Sequence, residues 1–289
     1  MEEEKKIHIS YSEFSLYQGC GHRHLIEKYL KISEQPPSIH LYFGSAIHLA
    51  LEEGLRDKIN LEKRILVFKE YFMKEMIENM SDTYEFHDMN DFIEQGENIL
   101  RYMSTEKVME KYDVVGIEEP MYERLYGNFH FKGFLDLILK YKNKQKYKIV
   151  DWKSSSEAWN VDKKKKDKIF SSQTMFYKYF YSRKYNIPFE DIECSYVVLN
   201  RLKNKKDPSQ GFGEMQVVDM TFTEGDMKEA LNRMASTLRD IHIRNYFPKS
   251  KIVKKSKSDC FFCQYKDGNS LCNDNPEQYK NLLSEYKKR

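Results

Sequence analysis

The chain has 289 residues, of which 40% are hydrophobic, 14% aromatic and 32% charged, with only 12 Gly and 7 Pro and a net charge of +3. This composition excludes a disordered or loop-dominated polypeptide and leaves room for one large domain with insertions. No apolar run approaches the roughly 18 to 20 residues of a membrane span, and "MEEEKKIHIS" lacks the apolar core of a signal peptide, so a cytosolic protein is expected.

The first third reads as helical: "SEFSLYQGCGHRHLIEKYL" and "LYFGSAIHLALEEGLRDKI" carry apolar residues at three-to-four spacing, as do Ile65 to Met76 and Phe92 to Met109. The pattern then changes to short β-rich stretches, "DVVGIEEPMYERLYG", "NFHFKGFLDLILKY" and "KYKIVDWKSS". The turn-forming "YGN" and the polar "KNKQK" separate them, as in a three-stranded meander. A long helix is predicted over about 168 to 185. Strands at "IECSYVVLNR" and "GEMQVVDMTF", a helix from Glu224 to about Asn245 and a cysteine-bearing tail follow. With no internal repeat and no flexible linker, this order predicts a single α/β domain with helices packed on a mixed sheet. Its parts are N-terminal helices (10–56), a helical insertion (57–112), the sheet core (113–222) and a C-terminal helix with the cysteines (223–289).

Charge is uneven along the chain. Between Lys140 and Lys184 there are 14 Lys or Arg against 4 Asp or Glu, a stretch that suits either an anionic polymer or a solvated lysine-rich face. Five cysteines in a cytosolic chain do not form a disulfide framework, so Cys260, Cys263 and Cys272 read first as metal ligands or redox groups, and Cys194 as a small core residue.

Strand periodicity puts Asp151 and Lys153 on one face of "IVDWKSS", and "GFLDLIL" surrounds Asp136 with Phe134, Leu135, Leu137 and Ile138. A carboxylate amid that much apolar surface needs a cation or several donors to stay ionised. A hairpin through "KNKQK" brings Asp136 and Asp151 within reach of one hard cation, for which carboxylates suit Mg²⁺ or Mn²⁺.

These segments resemble the RecB-type branch of the PD-(D/E)XK nuclease superfamily, whose fold is a restriction-endonuclease-like mixed sheet flanked by helices. "FGSAIHLALEEGL" matches its Gly-x-x-x-His helix through Gly44 and His48. "VVGIEEPMY" matches its glutamate strand at Glu118, with Glu119 one register away. "SSQTMFYKYFY" matches its Gln-x-x-x-Tyr helix through Gln173 and Tyr177. The resemblance implies a metal held by His48, Asp136, Asp151 and the carbonyl of Trp152. Lys153 would orient or deprotonate the attacking water, Gln173 and Tyr177 would position the substrate, and Glu118 would hold a second ion or its water shell.

"SYSEFSLYQGC" with the late cysteines resembles the iron-sulfur branch of the family, the AddB-like and CRISPR-associated exonucleases. There one early and three late cysteines, here Cys20, Cys260, Cys263 and Cys272, hold a structural 4Fe-4S cluster. Gly21 stands where the family has proline, and eight residues separate Cys263 from Cys272, so Zn²⁺ stays open as the alternative. The implied function is a metal-dependent DNA exonuclease of recombination, repair or phage DNA processing in a bacterial or phage-infected cell. A structure-selective endonuclease and a non-catalytic nucleic-acid-binding scaffold are the alternatives. The DNA would be single-stranded or have free ends, with "VDKKKKDK" against its phosphates and Trp152, Trp159 and tyrosines stacking on its bases or packed in the core. No Walker motif is present, so a helicase or recombination partner would be a separate chain, and no membrane is expected.

Overall fold

The computed structural model describes residues 7–29, 31, 38–79, 86–201 and 215–244, together with Cys263, Tyr265, Cys272 and Ser284. The chain divides into two compact units. Residues 37–123 and 132–230 form the larger, and residues 1–36, 124–131 and 231–289 the smaller. No helix among the described residues is long and apolar enough to cross a membrane.

The larger unit opens with α3 (Ile39–Arg56), α4 (Leu61–Asn79), α5 (Phe86–Tyr102) and α6 (Thr105–Lys111). The predicted helix over Phe92 to Met109 is broken: Ser104, in extended conformation, accepts a hydrogen bond from Lys107 N and caps a new helix. Four strands of the sheet follow in the order β3 (Phe129–Tyr141), β4 (Tyr147–Ser155), β5 (Ile192–Asn200), β6 (Gln216–Met220), and β2 (Tyr112–Tyr126) pairs with β3. Strands β3 and β4 are antiparallel, β4 and β5 parallel, β5 and β6 antiparallel, which makes the sheet mixed.

The parallel step needs a crossover. It is supplied by α7 (Val161–Lys166) and α8 (Lys168–Tyr185). Asp167 caps α8 by accepting from Ile169 N and Phe170 N, and Asn186 ends it in the left-handed region, so the predicted 168–185 helix has a start and a stop written into its flanks. The small residues Ser171, Ser172 and Thr174 bury their helix face, and Tyr196 of β5 donates its hydroxyl to Phe170 O at 2.9 Å. Cys194 is a buried residue whose thiol burial pushes up to about 12, as a core thiol requires.

A hydrophobic core cluster joins Phe43, Ile47 and Leu51 of α3, Phe68 and Phe72 of α4 and Ile99 of α5 to Leu137, Leu139, Val150, Trp152, Val197 and Leu199 of the sheet. The alternating residues of β3 and β4 that belong to this cluster leave Asp136, Asp151 and Lys153 in the opposite phase of their strands.

In the smaller unit, β1 (Ile7–Ser10), α1 (Tyr11–Gly19) and α2 (Gly21–His24) follow one another, with a π-helical turn over Leu25–Tyr29. The strand β1, absent from the sequence expectations, joins β3, with Ile7 N donating to Asn128 O beside the Gly127 turn. The helix that starts at Glu224, α9 (Glu224–Arg239), ends before the predicted Asn245 and continues as a π-helical turn over Asp240–Arg244.

Candidate active site

The site lies within the larger unit and is built from three strands and a helix. The antiparallel register that pairs Leu137 with Val150 brings Asp136 of β3 beside β4. There the Asp136 Oδ2 accepts a hydrogen bond from Trp152 N at 2.9 Å and stands 3.7 Å from His48 Nδ1. Asp151 is 1% exposed. Its Oδ2 lies 2.5 Å from the Lys153 ammonium, and its Oδ1 has no hydrogen-bond partner among the described residues. A fully buried carboxylate with one cation and an unmet oxygen is costly unless something more in the working protein satisfies it.

Helix α3 contributes two groups one turn apart, His48 and Glu52. With Glu118 of β2 they form a group whose ligand atoms all lie within 4.8 Å of one another. Glu118 has φ 48°, in the left-handed region, where a non-glycine residue is uncommon and strained. The two adjacent glutamates face opposite sides of the strand and take different partners. Glu119 pairs with Lys184 at 2.8 Å and hydrogen-bonds Tyr185.

The electrostatics are those of a carboxylate cluster awaiting positive charge. Burial, and then Asp136, pushes Asp151 up to about 6 against the pull of Lys153. Burial likewise pushes Asp136 up to about 6, and burial with Glu118 and Asp136 pushes Glu52 up to about 7. Burial lowers the His48 pKa and so favours the neutral imidazole that can ligate a metal. Burial also pulls on Lys153, but Asp151 and Asp136 outweigh it and hold the ammonium charged. Carboxylates and an imidazole are a donor set for Mg²⁺ or Mn²⁺, and a dication would satisfy Asp151 while relieving the mutual repulsion.

The sequence-predicted residues are distributed unevenly around this centre. His48, Asp136, Asp151 and Lys153 come together, and Glu118 rather than Glu119 joins them. The Trp152 ring is fully buried against His48, 5.7 Å between centroids, so it has no face for a base, and its backbone hydrogen-bonds His48. Gln173 and Tyr177 are buried on α8 and bonded to each other at 3.2 Å, with Gln173 Oε1 lacking a partner among the described residues. Trp159 packs on Phe170 and Tyr196 under Lys164. "VDKKKK" is a short helix capped by Asn160. Glu52 was not anticipated from the sequence.

Of the four cysteines expected to bind a cluster, Cys260 lies outside the described residues. Cys20 caps α2, its sulfur accepting from Arg23 N at 3.4 Å, and Cys263 lies within electrostatic reach of the Arg23 side chain. Among the described residues the cysteines form no group with the close mutual spacing of His48, Glu52 and Glu118.

A family model for the PD-(D/E)XK nuclease superfamily matches residues 8–268. The chain belongs to the PD-(D/E)XK nuclease superfamily. Membership makes it a nuclease of a group that uses divalent metals, with DNA as the implied substrate. No curated protein matches the chain.

Proposed function

We propose that this PD-(D/E)XK protein is a Mg²⁺- or Mn²⁺-dependent DNA exonuclease whose centre is His48, Glu52, Glu118, Asp136, Asp151 and Lys153. The observation that carries the reading is Asp151, fully buried between the Lys153 ammonium and a second raised carboxyl, Asp136, with its Oδ1 unmet among the described residues. A non-catalytic scaffold would gain nothing from such a residue, since an apolar side chain of similar size is stabler there.

When bound, the divalent ion supplies charge compensation at the phosphate and a more acidic water. His48, Asp136 and Asp151, with Glu52 and Glu118 close to His48, would hold it. Lys153 orients the attacking water and offsets charge growing on the phosphoryl oxygens. The Trp152 N–H fixes the Asp136 carboxylate. Gln173 and Tyr177 would act on the substrate from α8. We assign Cys20, Cys260, Cys263 and Cys272 to a structural 4Fe-4S cluster, with Zn²⁺ as the alternative. The support is their number and the approach of Cys263 to the helix that Cys20 caps.

End-labelled linear and covalently closed circular DNA, incubated with Mg²⁺, Mn²⁺ or EDTA, tests the proposal. An exonuclease degrades the linear DNA with either metal and spares the closed circle. Equal loss of both forms indicates the endonuclease, and no cleavage of either with any metal refutes the enzyme.

A further inference from the structure

Arg201 follows β5 directly and is 8% exposed. Its backbone N–H donates to Ser155 O at 2.8 Å, which ties it to the end of β4 two residues beyond Lys153. The guanidinium lies over Phe43 and Phe92, 5.5 and 5.0 Å from their centroids, and its one side-chain hydrogen bond among the described residues goes to Gln95 Oε1 at 3.4 Å. No carboxylate ion pair accompanies it among the described residues. An arginine this buried normally has an anionic partner, because burial of an uncompensated cation is costly.

Helix α3 shows where the partner would lie. His40, Gly44, His48 and Glu52 recur every four residues and so form one stripe along the helix. At one end of the stripe His48 and Glu52 enter the metal group. In the middle, a Cβ on Gly44 would come to 3.7 Å from Ser154 Oγ, so the missing side chain leaves room beside the strand end. At the other end His40 stands against Phe92, 5.3 Å between rings, and feels the positive charge of Arg201. The same order is repeated in β4: Lys153 at the metal end, Ser154 opposite Gly44, Ser155 bonded to Arg201.

Resting on the nuclease reading, we propose that Arg201, flanked by His40 and the Gly44–Ser154 notch, is a phosphate subsite for the substrate backbone. Lys153 and Ser155 are two strand rises apart, about 7 Å, on the order of one or two nucleotide steps along a DNA strand. Arg201 therefore grips a phosphate one or two linkages from the bond that is cut. The planar guanidinium suits a phosphate's paired oxygens, and its aromatic bed keeps it fixed before substrate arrives.

The test is binding of a fluorescent single-stranded oligonucleotide to the full chain in EDTA, followed by anisotropy. A single uncharged methylphosphonate linkage is moved along a set of such probes. The wild type should lose affinity roughly tenfold at one linkage. Arg201→Met should bind the all-phosphate probe about as weakly, lose nothing more at that linkage, and show a salt slope shallower by about 0.7. An unchanged salt slope, or losses that add at every linkage, overturns the subsite. Should Arg201→Met fail to fold, the wild-type scan still decides, since tolerance of a neutral linkage at every position refutes the proposal. Cleavage with Mn²⁺ is measured separately on the wild type, and its absence would reject the nuclease reading without bearing on the binding result.

Discussion

Glu118 and Glu119 are neighbours in β2, yet Glu118 joins His48 and Glu52 while Glu119 bonds Lys184 and Tyr185. Adjacent strand residues face opposite sides, and Glu118 also has a φ of 48°, in the left-handed region. The two substitutions should therefore separate. Glu118→Gln should raise the Mg²⁺ concentration needed for half-maximal cleavage at least about tenfold, and Glu119→Gln should leave that titration unchanged. Glu119→Gln weakens a half-buried ion pair and should cost about 1 kcal/mol or less. Glu118→Gly, freed of the φ penalty, should melt at or above the wild-type temperature without metal, whereas Glu118→Val should melt below it. Melting curves in EDTA and metal titrations of cleavage check both halves.

The raised carboxyls give the metal-free protein a definite pH dependence. Asp136 and Asp151 move from 3.8 to about 6, and Glu52 from 4.5 to about 7. Between the unfolded and folded values the folded state holds more protons, so stability falls as pH rises from about 4 to about 7 and then levels. In EDTA the melting temperature should drop over that window. Mg²⁺ or Mn²⁺ should restore it at pH 8 and much less at pH 5, where protons compete for the same oxygens. Glu52→Gln should raise the EDTA melting temperature at pH 8 and leave it unaltered near pH 4. A flat profile in EDTA would contradict the burial of these groups as ionisable acids.

The metal-side residues were readable from the sequence to different degrees, for physical reasons. Asp136, Asp151 and Lys153 stood out because strand periodicity put charge where apolar residues belong, and the antiparallel hairpin brings them together. Glu52 was hidden because "LEEG" looks like the solvated end of a helix. The available signal was its place four residues after His48, with Ala50 and Leu51 beside it in the core. The choice between Glu118 and Glu119 depends on the phase of β2 against α3, which two adjacent glutamates do not announce. Arg201, at the end of the predicted strand "IECSYVVLNR", drew no reading from the sequence, since its lack of a carboxylate partner among the described residues becomes evident only in the packed structure. The four-residue β1 falls below the length at which alternation has meaning.

Asp151 and Lys153 should be indispensable for different reasons. Asp151→Asn and Lys153→Met should each lower cleavage by at least about a hundredfold. Their stabilities should diverge. Lys153→Met removes the ammonium beside two buried carboxyls and should lower the EDTA melting temperature at pH 8, with Mn²⁺ recovering most of the loss. Cleavage at the wild-type rate in either variant would refute the assigned centre.

The cysteines are tested by metal content rather than activity. Cys20→Ala, Cys260→Ala, Cys263→Ala and Cys272→Ala should each abolish metal retention and lower stability by several kcal/mol, because joining residue 20 to residues 260–272 confines almost the whole unfolded chain. Cys194→Ala, in the core with no such role, should cost only about 1 kcal/mol and keep the metal. Anaerobically purified protein should be brown with iron and sulfide in cluster proportion. About one zinc and no colour would exchange the cluster for Zn²⁺, and four freely alkylated thiols without metal would remove the staple.

The placement of His48 depends on how α3 is held, and Gly96 offers a way to loosen it. Phe43 of α3 packs edge-on against Phe68 and Phe72 of α4, whose rings stack 5.8 Å apart. Gly96 of α5 closes on the same ring. A Cβ there would penetrate Phe68, with even the farthest of three ring carbons, Cε2, at 2.8 Å. Helix propensity alone favours Ala over Gly by about 1 kcal/mol, while forcing an extra carbon into a packed ring costs about 1–3 kcal/mol, occasionally more. Because the ring is fully buried and bounded by Phe43 and Phe72, it has no open side to turn into, and the steric cost wins. Gly96→Ala should thus destabilise the protein despite improving helix propensity, and the smaller Phe68→Leu should rescue it when combined. Thermal melts of the two single variants and the pair test this through their non-additivity, and a Gly96→Ala protein melting at or above the wild type would show that α5 can withdraw from α4 without cost.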